Sequence, residues 1–161
     1  MAWLSRQRLM VIALLAALVS VCAHAQMGMR HGRGPRHGDM MGVSMIRHHF
    51  VRQHGLDSQY ASKANPLEAT AEVLARGRRL YESLCAACHG PAGLGDGEAG
   101  AALSPAPANV SRSSKLPIAT DAYLFWTIAE GGVPIGSAMP PFKDVLSDEE
   151  IWSVVTYLRR L

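Results

Sequence analysis

Cys85-Ala86-Ala87-Cys88-His89 sets two thiols three positions apart with an imidazole directly after the second. On a turn of helix, two such thiols can each add to one vinyl group of a haem and form thioethers. The adjacent imidazole is then held under the ring, where a nitrogen can ligate the iron. This reading makes Cys85 and Cys88 the covalent anchors of one haem c and His89 its proximal ligand. A redox-active Cys-x-x-Cys is the competing use of the pair, but it calls for a βαβ setting and has no need of the His. The third cysteine, Cys22, lies in an apolar N-terminal segment, so the chain has no disulfide framework.

The second axial ligand can be sought by elimination. Residues 67–161 contain one His, His89, and one Met, Met139. A low-spin electron-transfer haem needs two strong axial ligands, and a thioether favours the ferrous state. Met139 stands in an irregular stretch between Gly136 and Pro141, where a side chain can project inward from a loop stiffened by Pro140 and Pro141. Met139 is therefore the expected sixth ligand. Core packing is the ordinary use of a lone Met, and His48, His49 and His54 upstream are the competing ligands.

The elements that must position these residues read as helices. Asn65-Pro66, with Glu68 behind them, or alternatively Thr70, can start a helix that runs into Cys85 with Leu67, Leu74, Tyr81 and Leu84 on one face. The five glycines between Gly90 and Gly100 preclude regular structure. A middle helix fits Asp121 to Glu130, capped by Thr120 or Asp121 and stopped by Gly131-Gly132. The last helix has Ser147 as cap, Glu150 completing a capping box, Leu146 as staple onto Ile151, and Ile151, Val154, Val155, Leu158 and Leu161 as its buried stripe. Upstream, Ser44 to His54 can form a short helix with an apolar patch of Ile46, Phe50 and Val51, and Leu56 to Asn65 reads as an extended connection. Trp126 is read as core, with a place along a haem crevice as the alternative.

Taken in order, Gly77-x-x-x-Tyr81, Cys-Ala-Ala-Cys-His-Gly, the glycine-rich run, Met139-Pro140 and a final helix with Trp152 and Tyr157-Leu158 resemble the class I cytochromes c, of the small bacterial single-haem kind. The resemblance covers residues 65–161. It implies an all-α, cytochrome c-like helical domain wrapped around one covalent haem. It also implies that the first and last helices cross closely at Gly77, with Tyr81 near Trp152 or Val155. The run Pro105-Ala106-Pro107-Ala108 is similar to the family's proline segment, which implies that a Pro107 or Pro105 carbonyl takes the free ring N–H of His89.

Composition divides the chain into three parts. Residues 1–25 read as a signal peptide: Arg6 and Arg8 precede an apolar run from Leu9 to Val21, and Ala23-His24-Ala25 is a cleavage site. An uncleaved anchor is the alternative, although the run is short for a bilayer span of about 20 residues. Residues 26–66 form a basic arm and linker with six Arg/Lys against two acids, five His and five Met. Residues 67–161, the expected cytochrome domain, carry eight Arg/Lys against eleven acids. Nucleic-acid binding would need a basic folded face, and the folded part is acidic.

These readings favour a periplasmic electron carrier over an enzyme, exchanging single electrons with redox partner proteins. The basic arm is read as a tether or as a docking element for a partner or membrane surface that the haem fold does not require. The alternative function is copper handling, because Met41, Met45 and His49 share one face of any helix there, with His48 beside them, and thioether with imidazole suits copper. A haem enzyme wants an open iron site, which Met139 speaks against.

Overall fold

The structure is a computed structural model and describes residues 43–161, which belong to one compact unit. The expected signal peptide, the first part of the arm and Met41 lie outside the described residues. Seven α-helices are present among the described residues: α1 (Val43–His54), α2 (Ser58–Ala61), α3 (Ala71–Leu84), α4 (Ala86–His89), α5 (Val110–Ser113), α6 (Asp121–Glu130) and α7 (Asp148–Leu158). Two 3₁₀ turns, Glu98–Gly100 and Val133–Ile135, complete the set, and no strand occurs among the described residues. The fold is all-α, as expected.

Local chemistry accounts for the helix boundaries. Thr70 caps α3 by accepting from the Val73 N–H, so the helix starts at this alternative rather than at Asn65. The Asn65 side chain instead accepts from the Leu67 N–H and makes a turn. Thr120 caps α6, and Gly131 ends it with φ +60°. Ser147 and Glu150 form the full reciprocal capping box at the start of α7.

The frame is the crossing of α3 and α7. Gly77 sits at the crossing, where a Cβ would fall 2.0 Å from the Ser153 carbonyl oxygen, so only a residue without one permits this approach. Tyr81 is buried here beside Tyr157, with ring centroids 5.5 Å apart. Tyr157 is thus its ring partner, and Tyr81 shares one core cluster with the expected Trp152 and Val155. Trp152 faces Phe125 of α6 at 4.4 Å, which locks the third helix against the other two. Arg159 fixes the end of α7 by donating to the carbonyls of Ser114 and Ala119 and to the Asp121 carboxylate.

The segment before residue 67 departs from expectation. Helix α1 forms where it was read, but its inward face carries Arg47 and His48, both buried, and Ile46 is exposed. Phe50 stacks over Trp126 at 6.0 Å. The expected extended connection contains α2, whose Tyr60 is buried and donates to the Glu130 carboxylate. Residues 45–61 thus help to build the core, and the domain edge expected at 66/67 falls inside the compact unit.

Candidate haem site

The motif forms a tight turn at the end of α3. Cys85 caps α3 by donating to the Tyr81 carbonyl, and its own carbonyl accepts the N–H groups of Cys88 (3.2 Å) and His89 (2.9 Å). Both cysteines are free thiols. Burial, with a smaller effect from Cys88, pushes the Cys85 thiol up to about 12. Reactive disulfide-exchange thiols are held low instead, so the Cys85 environment does not suit the redox-thiol alternative.

The loop behind the turn holds it in shape. Gly95 and Gly97 donate to the carbonyls of His89 (2.8 Å) and Cys88 (3.2 Å), and the Tyr81 hydroxyl donates to the Gly90 carbonyl at 2.7 Å. Gly90 has φ +77°, and a Cβ there would meet the Asp96 carboxylate. The glycines legible in the sequence therefore wrap backbone donors around the motif.

His89 Nδ1 lies 2.9 Å from the Ala108 carbonyl oxygen, which can only accept, so Nδ1 carries the proton. This contact corrects the expectation of Pro105 or Pro107: the acceptor is the next carbonyl along the same segment. Nε2 is left with its lone pair, and burial holds the ring below its ordinary pKa, so the imidazole is neutral and has a free donor atom.

Two cavities meet at this ring. One is walled by Tyr81, Leu124, Ile128, Val154 and Leu158, the other by Cys88, Pro105, Pro107, Ala138 and Phe142, and Cys85, His89 and Met139 border both. Met139 is held by its neighbours: its carbonyl accepts the Gly132 N–H at 2.7 Å, while Phe142 donates to the carbonyls of Ile128 and Ala129. An apolar cavity with two thiols, a neutral imidazole and a thioether on its border fits a covalently attached haem in donor set.

The family model described as cytochrome c oxidase, cbb3-type, subunit III matches residues 72–158. The chain belongs to this family of c-type cytochromes. Its cofactor is haem c, and its role is haem-based electron transfer, as a carrier or an oxidase subunit. No curated protein and no solved structure gives a significant match to this cytochrome. The match begins at residue 72, so α1 and α2 lie outside it although both pack on the cytochrome core.

The remaining candidates fall in different places. Trp126 is buried between Phe50 and Tyr123 and borders neither cavity, as the core reading held. His49 and His54 are exposed on α1, whereas His48 borders the first cavity. Met45 and His49 point outward while His48 points inward, which divides the residues proposed for copper. No cluster of three His, Cys, Asp or Glu side chains suited to a metal occurs among the described residues. Sequence reasoning missed Arg47, because a charged residue in a basic segment reads as solvent-facing.

Proposed function

We propose that this protein is an extracytoplasmic single-electron carrier whose one haem c would be held by thioethers to Cys85 and Cys88, with His89 and Met139 as the residues that would ligate its iron. The observation that carries the reading is that Cys85, His89 and Met139 border both cavities. The bound haem supplies a one-electron ferric/ferrous couple.

The chain's own residues supply position and environment. The Ala108 carbonyl fixes the His89 tautomer and ring orientation and leaves Nε2 as the donor. Pro140, Pro141 and the Gly132 hydrogen bond fix the Met139 loop, so its thioether is presented with little rearrangement. Leu124, Ile128, Val154 and Leu158 exclude water from one side of the crevice, which favours the less charged ferrous state. The partners are redox proteins, and the oxidase subunit named by the family description supports a terminal oxidase as one of them. Extracytoplasmic placement is supported by the N-terminal segment that reads as a signal peptide and by the covalent mode of haem attachment. None of the described helices is long and apolar enough to cross a membrane.

The deciding experiment is Met139→Ala. The variant keeps its haem, loses the near-infrared Met–iron band, binds exogenous ligands and has a lowered potential, whereas His89→Ala is far more damaging. An unchanged spectrum and potential in Met139→Ala would overturn the assignment and turn attention to His48.

A further inference from the structure

Helix α1 sends two polar side chains into the haem crevice from outside the family-matched region. Arg47 is 2% exposed and His48 is 8% exposed, and both border the first cavity. Arg47 Nη2 donates to the Gly131 carbonyl at 2.7 Å, and its guanidinium lies 5.1 Å from the centre of the Trp126 ring. These contacts fix the group and leave part of it over: Arg47 Nη1 and His48 Nε2 are buried and without a hydrogen-bond partner among the described residues.

A guanidinium stays protonated in proteins, and a buried charge without a counter-charge is costly. The ion pairs among the described residues are formed by other groups, and none joins an Asp or Glu to Arg47. Burial and the neighbouring Arg47 charge hold His48 below its ordinary pKa, so its ring is neutral near pH 7 and offers one N–H donor. The cavity therefore presents a charged donor and a neutral donor and lacks an anion. Haem brings two carboxylates of its own, the propionates.

We propose that Arg47 Nη1 and His48 Nε2 together bind one haem propionate, so that α1 completes the haem site and its positive charge raises the potential. The proposal rests on the haem reading of the cavity. A fixed cation beside the porphyrin opposes the extra positive charge of ferric iron, and hence stabilises the ferrous state. Arg47 and His48 act through the propionate and are positioning residues.

The test uses the full holoprotein with Arg47→Gln, Arg47→Lys and His48→Gln. Potentials are measured at pH 7, and the propionate carboxylate stretch is followed by infrared redox difference spectroscopy. Arg47→Gln is expected to shift the ferric/ferrous equilibrium at least tenfold towards ferric, 59 mV for one electron. The Met–iron band should persist and the propionate stretch should move. Arg47→Lys restores more than half of the shift, because it keeps the charge. His48→Gln folds under a milder change, and it too moves the propionate stretch while keeping the Met–iron band.

Wild-type potential should be the same in chloride, phosphate and acetate at equal ionic strength, since the carboxylate belongs to the cofactor. Dependence on the anion would assign the pair to a free ion and overturn the proposal. A propionate stretch that is unchanged in both Arg47→Gln and His48→Gln overturns it as well. Loss of the axial-ligand signature in His48→Gln would instead make His48 an iron ligand, with the same consequence. Failure of the haem reading itself would show separately, as wild-type protein without covalently bound haem.

Discussion

Gly77→Ala sets two energies against each other. In an exposed helix the change would stabilise, because Ala has the higher helix propensity by about 1 kcal/mol. At the α3–α7 crossing the new methyl would lie 2.0 Å from the Ser153 oxygen, 2.7 Å from its carbonyl carbon and 2.8 Å from Tyr157 Cβ. Two of these are backbone atoms, which cannot rotate away. Ordinary contact begins near 3.4 Å, so the helices must part locally by about 1.4 Å. That movement opens a core in which Tyr81, Val154 and Val155 are each no more than 1% exposed. Overpacking of this kind costs roughly 1–3 kcal/mol, and rigid backbone puts the cost at the upper end. The net expectation is a loss of about 2 kcal/mol, a roughly 30-fold change in the unfolding constant. Urea unfolding of the holoprotein, followed by circular dichroism, should show a lower midpoint with an unchanged slope. Because α3 ends in Cys85, the variant should also incorporate haem less efficiently. A midpoint equal to or above wild type would refute the close-approach argument and reduce Gly77 to a weak point in a helix.

Other expectations follow from the same contacts. Replacing both Cys85 and Cys88 with Ala should make any residual haem extractable by acid and leave the domain poorly folded; haem resisting extraction would sink the thioether assignment. Hydrogen bonds from Tyr60, and then Lys143, hold the Glu130 carboxyl below its usual value, so their stabilisation is present above about pH 4.5 and is lost as pH falls through the lowered folded pKa. Tyr60→Phe should therefore cost about 2 kcal/mol at pH 7 and distinctly less at pH 3 in urea titrations, and an equal loss at both would refute the linkage. Deleting residues 26–42 should leave haem spectrum and potential unchanged while weakening a salt-sensitive docking step. Deleting residues 26–54 should lower the potential as well, and identical potentials for the two truncations would remove α1 from the site.

Features encoded over a few residues were legible, and features that depend on distant chain paths were not. Ser147 and Glu150 fix the start of α7 through two hydrogen bonds within one turn, so their spacing was enough. The same holds for the Cys85–His89 turn and for Gly131 at the end of α6. The choice of Ala108 over Pro105 or Pro107 depends on how the loop passes His89, which no local pattern records. Helix α2 could have been found: Asp57 accepts from the Gln59 N–H in a local cap, but one turn gives too little periodicity to stand out. Arg47 and His48 were hidden for a different reason. Their cavity is walled by residues 81–158, so their burial follows only from the finished fold, and basic composition pointed the other way.

The contacts of α1 and α2 also bear on the order in which the molecule can assemble. Arg47 binds a carbonyl 84 residues further along, and Tyr60 a carboxylate 70 residues further along. A chain made from its N-terminus presents Cys85, Cys88 and His89 before residues 121–131 exist. Throughout that interval the inner face of α1 has nothing to bury itself against, and long loops are costly to close early. Until residues 121–131 are in place, the crevice stays open on the side that α1 and α6 cover. Helix α1 thus precedes the haem motif in the chain, yet it can cover the site only once residues 121–131 are there to receive it.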